Sequence, residues 1–107
     1  MFKVLTACGT GINSSQQIAR SIEEEMKNRG YDVKADPVII SDITKDLLEK
    51  YDLLAPISKL ELGFDSDVPM VEAGVILYRI PSMAQPVYDK IEEIIKNKEK
   101  WYVEWIN

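Results

Sequence analysis

Residues 7–15 read Ala7-Cys8-Gly9-Thr10-Gly11-Ile12-Asn13-Ser14-Ser15, a nucleophile followed at once by two glycines and a run of small polar side chains. Cys8 is the only cysteine of the chain. Gly9 and Gly11 let the backbone curl tightly and turn its N–H groups inward. Successive amides in such a curl form an anion-binding nest. A helix opening directly after it adds the partial positive charge and free donors of its N-terminus. Asn13, Ser14 and Ser15 can cap that helix or bond an anion directly. A cysteine at the mouth of this nest lies in a field that favours thiolate over thiol. A thiolate beside a site for a dianion is arranged to accept a phosphoryl group covalently, and the nest then stabilises the equatorial oxygens during transfer. The bland alternative is a small apolar side chain ending a strand, which is what most free cysteines are. A bare Gly-x-Gly serves ordinary turns as well, so it is the combination of glycines, polar cluster and helix start that favours phosphoryl chemistry.

Rival chemistries are short of parts. Gly9-Thr10-Gly11 begins like a dinucleotide fingerprint, but Ser14 stands where the third glycine belongs, and 107 residues are too few for a two-half dinucleotide fold. The Gly-Lys-Ser/Thr ending of a nucleotide P-loop is absent, and there is no Cys-x-x-Cys for dithiol redox work. The chain has no histidine, which removes the common zinc constellations and any Ser-His or Cys-His dyad within it. No metal and no cofactor is expected. The serious alternative is a low-molecular-weight cysteine phosphatase or an arsenate reductase. Such enzymes place an arginine after five residues, to grip the phosphate in bidentate fashion; here that position is Ser14. Asp65 or Asp67 could act as a general acid from a loop, but the missing guanidinium argues against hydrolytic transfer to water.

The elements that must position Cys8 can be read around it. Phe2 to Ala7 forms a short buried strand ending at Cys8. From Ser14 or Ser15 the pattern turns helical, with Ile18, Ile22 and Met26 every fourth residue as the core stripe, and Gly30 stops the helix. Val33 to Ile40 is a second strand, and Pro37 puts it at an edge. Ser41 or Asp42 caps a short helix carrying Ile43, Leu47 and Leu48. Asp52 to Ser58 is a third strand, a loop with Gly63, Asp65, Ser66 and Asp67 follows, and Val68 to Val71 is a fourth. Gly74 to Ile80 is irregular and apolar. Pro81 to Pro86 leads into a last helix with Val87, Ile91, Ile94 and Ile95 on its buried face. Lys96, Lys98 and Lys100 suit a helix end, and Trp101, Tyr102 and Trp105 either pack back or make a contact. Strands alternating with helices predict an α/β fold, a small open four-stranded, mostly parallel sheet flanked by helices. Ligands of such sheets sit beyond the carboxyl ends of the strands, where Cys8 falls.

Composition sets the outer bounds. The 107 residues are 46% hydrophobic and 29% charged, ordinary for one globular domain spanning 1–107, with the tail 97–107 the least determined part. A net charge of −5 argues against nucleic acid as a partner and against binding to an anionic membrane surface. No stretch approaches the roughly 18 apolar residues that cross a bilayer. The N-terminus, with one lysine and a short apolar run, lacks the features of a signal peptide. A cytoplasmic location is expected.

The pattern from Cys8 to Ser15, directly after a first strand, resembles the phosphocysteine loop of phosphotransferase system (PTS) enzyme IIB subunits, the galactitol-type group above all. Asp67 to Val71, followed by Gly74 to Leu77 and the helix Val87 to Ile95, is similar to that family's last strand, loop and C-terminal helix. The resemblance covers residues 1 to 96. It implies a four-stranded parallel sheet, and a phosphate-binding loop made of Gly9, Thr10, Gly11, Ile12, Asn13, Ser14 and Ser15. It implies that Cys8 accepts a phosphoryl group from a phosphohistidine on an enzyme IIA partner and donates it to a sugar held by the membrane enzyme IIC. A donor histidine on another chain fits a sequence that has none. Pro56-Ile57 and the aromatic tail from Trp101 to Trp105 are not features of the family pattern.

Overall fold

Along β1 (Phe2–Cys8) the side chains alternate between two faces, as the pleat requires. Both faces are mostly apolar, so the strand has to be covered on both sides and flanked at both edges. In the computed structural model, which describes residues 1–9 and 13–106 and gives the last eight of these by backbone only, that is what occurs. The sheet has three parallel strands in the order β2-β1-β3, with β2 being Val33–Ile39 and β3 Leu53–Pro56. The register runs from Phe2↔Val33 to Cys8↔Ile39 on one side, and from Val4↔Leu53 to Ala7↔Pro56 on the other. The predicted edge position of β2 holds, and Pro37 lies within it.

One face of the sheet is covered by α1 (Asn13–Asn28) and α3 (Pro81–Ile106). Phe2, Val4, Ala35, Leu53 and Ala55 meet Ile18, Ile22 and Met26 of α1 and Ile91 and Ile95 of α3 there. The predicted stripe Ile18-Ile22-Met26 is completely buried. The opposite face carries Leu5, Ala7 and Leu54, covered by Leu47 and Leu48 of the short α2 (Lys45–Leu48) and by Tyr51, Leu62 and Phe64. Gly30, at φ 90°, ends α1 in the left-handed conformation that glycine adopts without cost. Around it the Gly30 N–H donates to the Lys27 carbonyl and the Tyr31 N–H to the Met26 carbonyl, a Schellman closure.

Four expectations are corrected. The fourth strand, Val68 to Val71, is a single parallel bridge between Leu54 and Met70. The Leu54 N–H donates to the Pro69 carbonyl and the Val71 N–H to the Leu54 carbonyl. The next rung would run from the N–H of residue 56 to Val71, and Pro56 has none. The segment stays extended, since the Ala73 N–H reaches the Pro56 carbonyl, but the ladder ends after one step. The sheet is therefore three-stranded. Second, Thr44 rather than Ser41 or Asp42 caps α2: its hydroxyl accepts from the Leu47 N–H, while Ile40–Asp42 forms a 3-10 turn. Third, Gly74–Tyr78 is a 3-10 helix. Fourth, α3 begins at Pro81, a residue whose fixed φ and missing N–H suit a first helical position. Pro86 is tolerated inside it, because Pro86 and Ser82 are both solvent-exposed and water can take up the freed Ser82 carbonyl.

Polar contacts tie the helices down. Arg29, at the end of α1, pairs with Glu25 at 2.8 Å, Asp89 at 3.1 Å and Glu92 at 3.8 Å, linking α1 to α3. Lys98 pairs with Asp52, which also accepts the Lys3 N–H at 2.8 Å. The helical tail expected to be mixed therefore continues α3 past the amino-terminal edge of the sheet. The side chains of Trp101, Tyr102 and Trp105 lie outside the described residues. Among the described residues no helix is long and apolar enough to cross a membrane.

Candidate active site

Strand β1 ends at Cys8, at the carboxyl edge of the sheet and beside Ile39 of β2. The pleat decides where its side chain goes. Val4, Thr6 and Cys8 share a face, the one covered by α1. Thr6 and Cys8 accordingly both meet the first turn of that helix. The Thr6 hydroxyl, with no exposed surface, donates to the Ser15 carbonyl at 2.7 Å; a longer approach to the Asp36 carbonyl measures 3.4 Å. Cys8 Sγ lies 3.5 Å from Ser15 Oγ, the thiol donating. Ser15 is itself completely buried.

The thiol is thus set differently from the expectation of an open mouth. Cys8 is only 3% exposed, because the strand alternation turns its sulfur inward to α1 instead of outward to solvent. Gly9, the next residue, is exposed. Among the described residues no atom would meet a Cβ built on it, and it is not among the left-handed glycines. Asn13 is exposed and Ser14 half-buried in the first turn of α1. Thr10, Gly11 and Ile12, expected to line the nest, lie outside the described residues. The helix starts at Asn13, one or two residues before the predicted start, and its first turn holds no acidic side chain. Its N-terminal positive field is therefore unopposed from within that turn.

Asp65 and Asp67, the candidate acids of the hydrolytic alternative, are exposed. Their loop packs Leu62, Phe64 and Val68 onto the Leu5–Leu54 face, the face opposite to the one Cys8 joins. Among the described residues no cluster of three or more acidic or sulfur ligands could hold a metal ion.

Two residues matter that the sequence reading passed over. Thr6 looked like one more strand residue, yet its hydroxyl joins β1 to the turn that carries Ser15. A threonine in the apolar stretch Val4 to Ala7, two residues before the nucleophile, was the available signal. Gly74 sits at the carboxyl end of β3 against the Ile57 backbone, where the chain turns back to the site end of the sheet. Nothing local in the sequence marks that approach. The segment that follows Gly74 carries the exposed apolar side chains Tyr78, Ile80 and Met83.

Comparison with protein families matches residues 3–97 to the model described as PTS system, lactose/cellobiose specific IIB subunit. No curated protein matches the chain.

Proposed function

The chain belongs to the lactose/cellobiose-specific IIB subunit family of the PTS, a phosphotransferase component that works through a cysteine phosphoryl intermediate, and we propose that Cys8 is the residue that carries the phosphoryl group. The observation that carries this reading is the placement of the chain's one cysteine at the carboxyl end of the central strand, 3.5 Å from a hydroxyl in the first turn of α1. Residues 1–107 act as one IIB domain on this reading. Gly9 and the residues from Thr10 to Ser15 hold the phosphoryl oxygens through backbone N–H groups, hydroxyls and the helix N-terminus.

The chemistry runs in two steps. The Cys8 thiolate attacks phosphorus of a phosphohistidine on enzyme IIA; the S–P bond forms, the P–N bond breaks, and its electron pair returns to the imidazole. A sugar hydroxyl, held by the membrane enzyme IIC, then attacks the phosphocysteine. The O–P bond forms, the hydroxyl proton passes to water or a base of the permease, and the S–P electron pair returns to sulfur as thiolate. In-line approach to within about 3.5 Å of a buried sulfur requires a local change at this end of the sheet when the donor docks. Tyr78, Ile80 and Met83 supply exposed apolar surface of the kind that partner proteins cover. The protein works in the cytoplasm, meeting the membrane through its permease. The likeness of the Cys8–Ser15 loop to galactitol-type subunits makes galactitol or a related sugar alcohol the acceptor we favour, and parallel assays with galactitol and cellobiose permeases distinguish it from a disaccharide.

The decisive experiment is intact mass after incubation with the upstream phosphodonors ending in phosphorylated IIA. The wild-type chain gains one phosphoryl group, and Cys8→Ser gains none. Uptake by the Cys8→Ser variant overturns the assignment. Rapid release of inorganic phosphate from the isolated phosphoprotein would point instead to the phosphatase chemistry, which Ser14 in place of an arginine disfavours.

A further inference from the structure

We propose that Thr6 is a positioning residue for phosphoryl transfer: its buried hydroxyl fixes the first turn of α1 against β1 and thereby keeps Ser15 Oγ on the Cys8 sulfur. The inference rests on the reading of Cys8 as the phosphoryl carrier. Thr6 acts through Ser15, whose carbonyl accepts its hydroxyl proton.

The geometry leaves Thr6 little else to do. It is fully buried on the α1 face of the central strand, in a layer otherwise built from Phe2, Val4, Leu53 and Ala55. A valine would fill the same space without a polar atom to satisfy. The hydroxyl spends its one proton on the Ser15 carbonyl at 2.7 Å, a good distance for an O–H donor. That carbonyl has a second lone pair for the helix ladder, so helix formation does not require the threonine. What the bond adds is a fixed distance between strand and helix turn at the one place where the helix presents a hydroxyl to the nucleophile.

That hydroxyl matters to the discharge step. A thiol donates to Ser15 Oγ; a thiolate can only accept, and the hydroxyl rotor turns its proton toward the sulfur. When the S–P bond breaks in favour of the sugar, the electron pair returns to sulfur. A donor already in place stabilises the leaving thiolate in the transition state. Such an effect is steep in distance, and displacement of a reacting neighbour by about 1 Å costs up to roughly a hundredfold in rate.

The test uses two substitutions that separate shape from hydroxyl. Thr6→Val keeps the volume and removes the donor. Thr6→Ser keeps the donor and removes a buried methyl. Both should fold, each with a melting temperature lowered by roughly 5 °C. Single-turnover phosphorylation of the full chain by saturating phosphorylated IIA, and discharge to permease vesicles with sugar, are then timed. Thr6→Val should be slower by about ten- to a hundredfold in the discharge step, with an unchanged half-saturating donor concentration, while Thr6→Ser keeps the wild-type rate. Equal rates for wild type and Thr6→Val overturn the proposal, as do losses in both variants that follow their melting temperatures. If the wild-type chain itself takes up no phosphate on Cys8, it is the underlying functional reading that fails, a result these two variants cannot mimic.

Discussion

Gly74 lies so close to the backbone of Ile57 that a Cβ added to it would collide with the Ile57 carbonyl oxygen. The partner is backbone, at the carboxyl end of β3 and next to Pro56, and cannot swing aside as a side-chain tip would. The contact fixes where the chain turns from the Met70 bridge into the 3-10 helix Gly74–Tyr78. Gly74→Ala should therefore destabilise the fold by about 1–3 kcal/mol, the range of overpacked core sites. Urea denaturation measures it, and an unchanged midpoint would show that the turn relaxes freely.

Gly9 stands in contrast. Among the described residues nothing stands where its side chain would go, and its backbone is not left-handed, so Gly9→Val should change stability by only a few tenths of a kcal/mol, as at other unconstrained surface sites. On the proposed role of Cys8, a valine on the next residue would obstruct the incoming phosphoryl group. Phosphorylation by IIA should slow by about tenfold or more. Parallel losses of melting temperature and transfer would make the glycine structural only.

Tyr51 gives a pH signature. Its hydroxyl donates to Asp36 Oδ2 at 2.8 Å, and burial, followed by that bond and the charge of the carboxylate, pushes the phenol up to about 12 from 10.0. The folded state thus holds the proton more tightly than the unfolded chain. The resulting stability is fully present below pH 10 and is lost as pH rises toward 12. Melting temperature should fall less steeply between pH 10 and 12 in Tyr51→Phe than in the wild type, the lysines contributing alike to both. Identical slopes would show that Tyr51 contributes nothing to the alkaline loss.

Arg29 joins Glu25 on its own helix to Asp89 and Glu92 on α3, and its guanidinium lies 5.9 Å from the Tyr88 ring centroid. These contacts hold the guanidinium above its usual range, with the Glu25 bond as the largest cause. The arginine side chain is largely covered, so the network exceeds an isolated surface pair. Arg29→Met should cost about 1–2 kcal/mol, read as a shifted urea midpoint at constant m-value. A midpoint within error of wild type would mean that solvation of the freed carboxylates offsets the loss.

Much of this was written in local sequence. The apolar run Phe2 to Ala7, the glycines after Cys8, and the four-residue spacing of Ile18, Ile22 and Met26 dictate a strand, a turn and an amphipathic helix with the cysteine between them, because each signal acts over a few residues. Pro37 marked an edge strand for the same reason: a missing donor is tolerated where no neighbour needs it. What depended on distant partners was not legible. The one-rung fate of Val68 to Val71 follows from Pro56, which belongs to the strand opposite. The need for glycine at 74 comes from a carbonyl seventeen positions earlier. The sulfur of Cys8 turns inward because β1, as the central strand, has α1 packed on the face that the pleat assigns to residues 4, 6 and 8. The sequence alone settled that there is one candidate nucleophile and what surrounds it along the chain. Only the tertiary structure decided which hydroxyl faces its sulfur and which strand residue holds that hydroxyl there, since both follow from the packing of helix on sheet rather than from spacing.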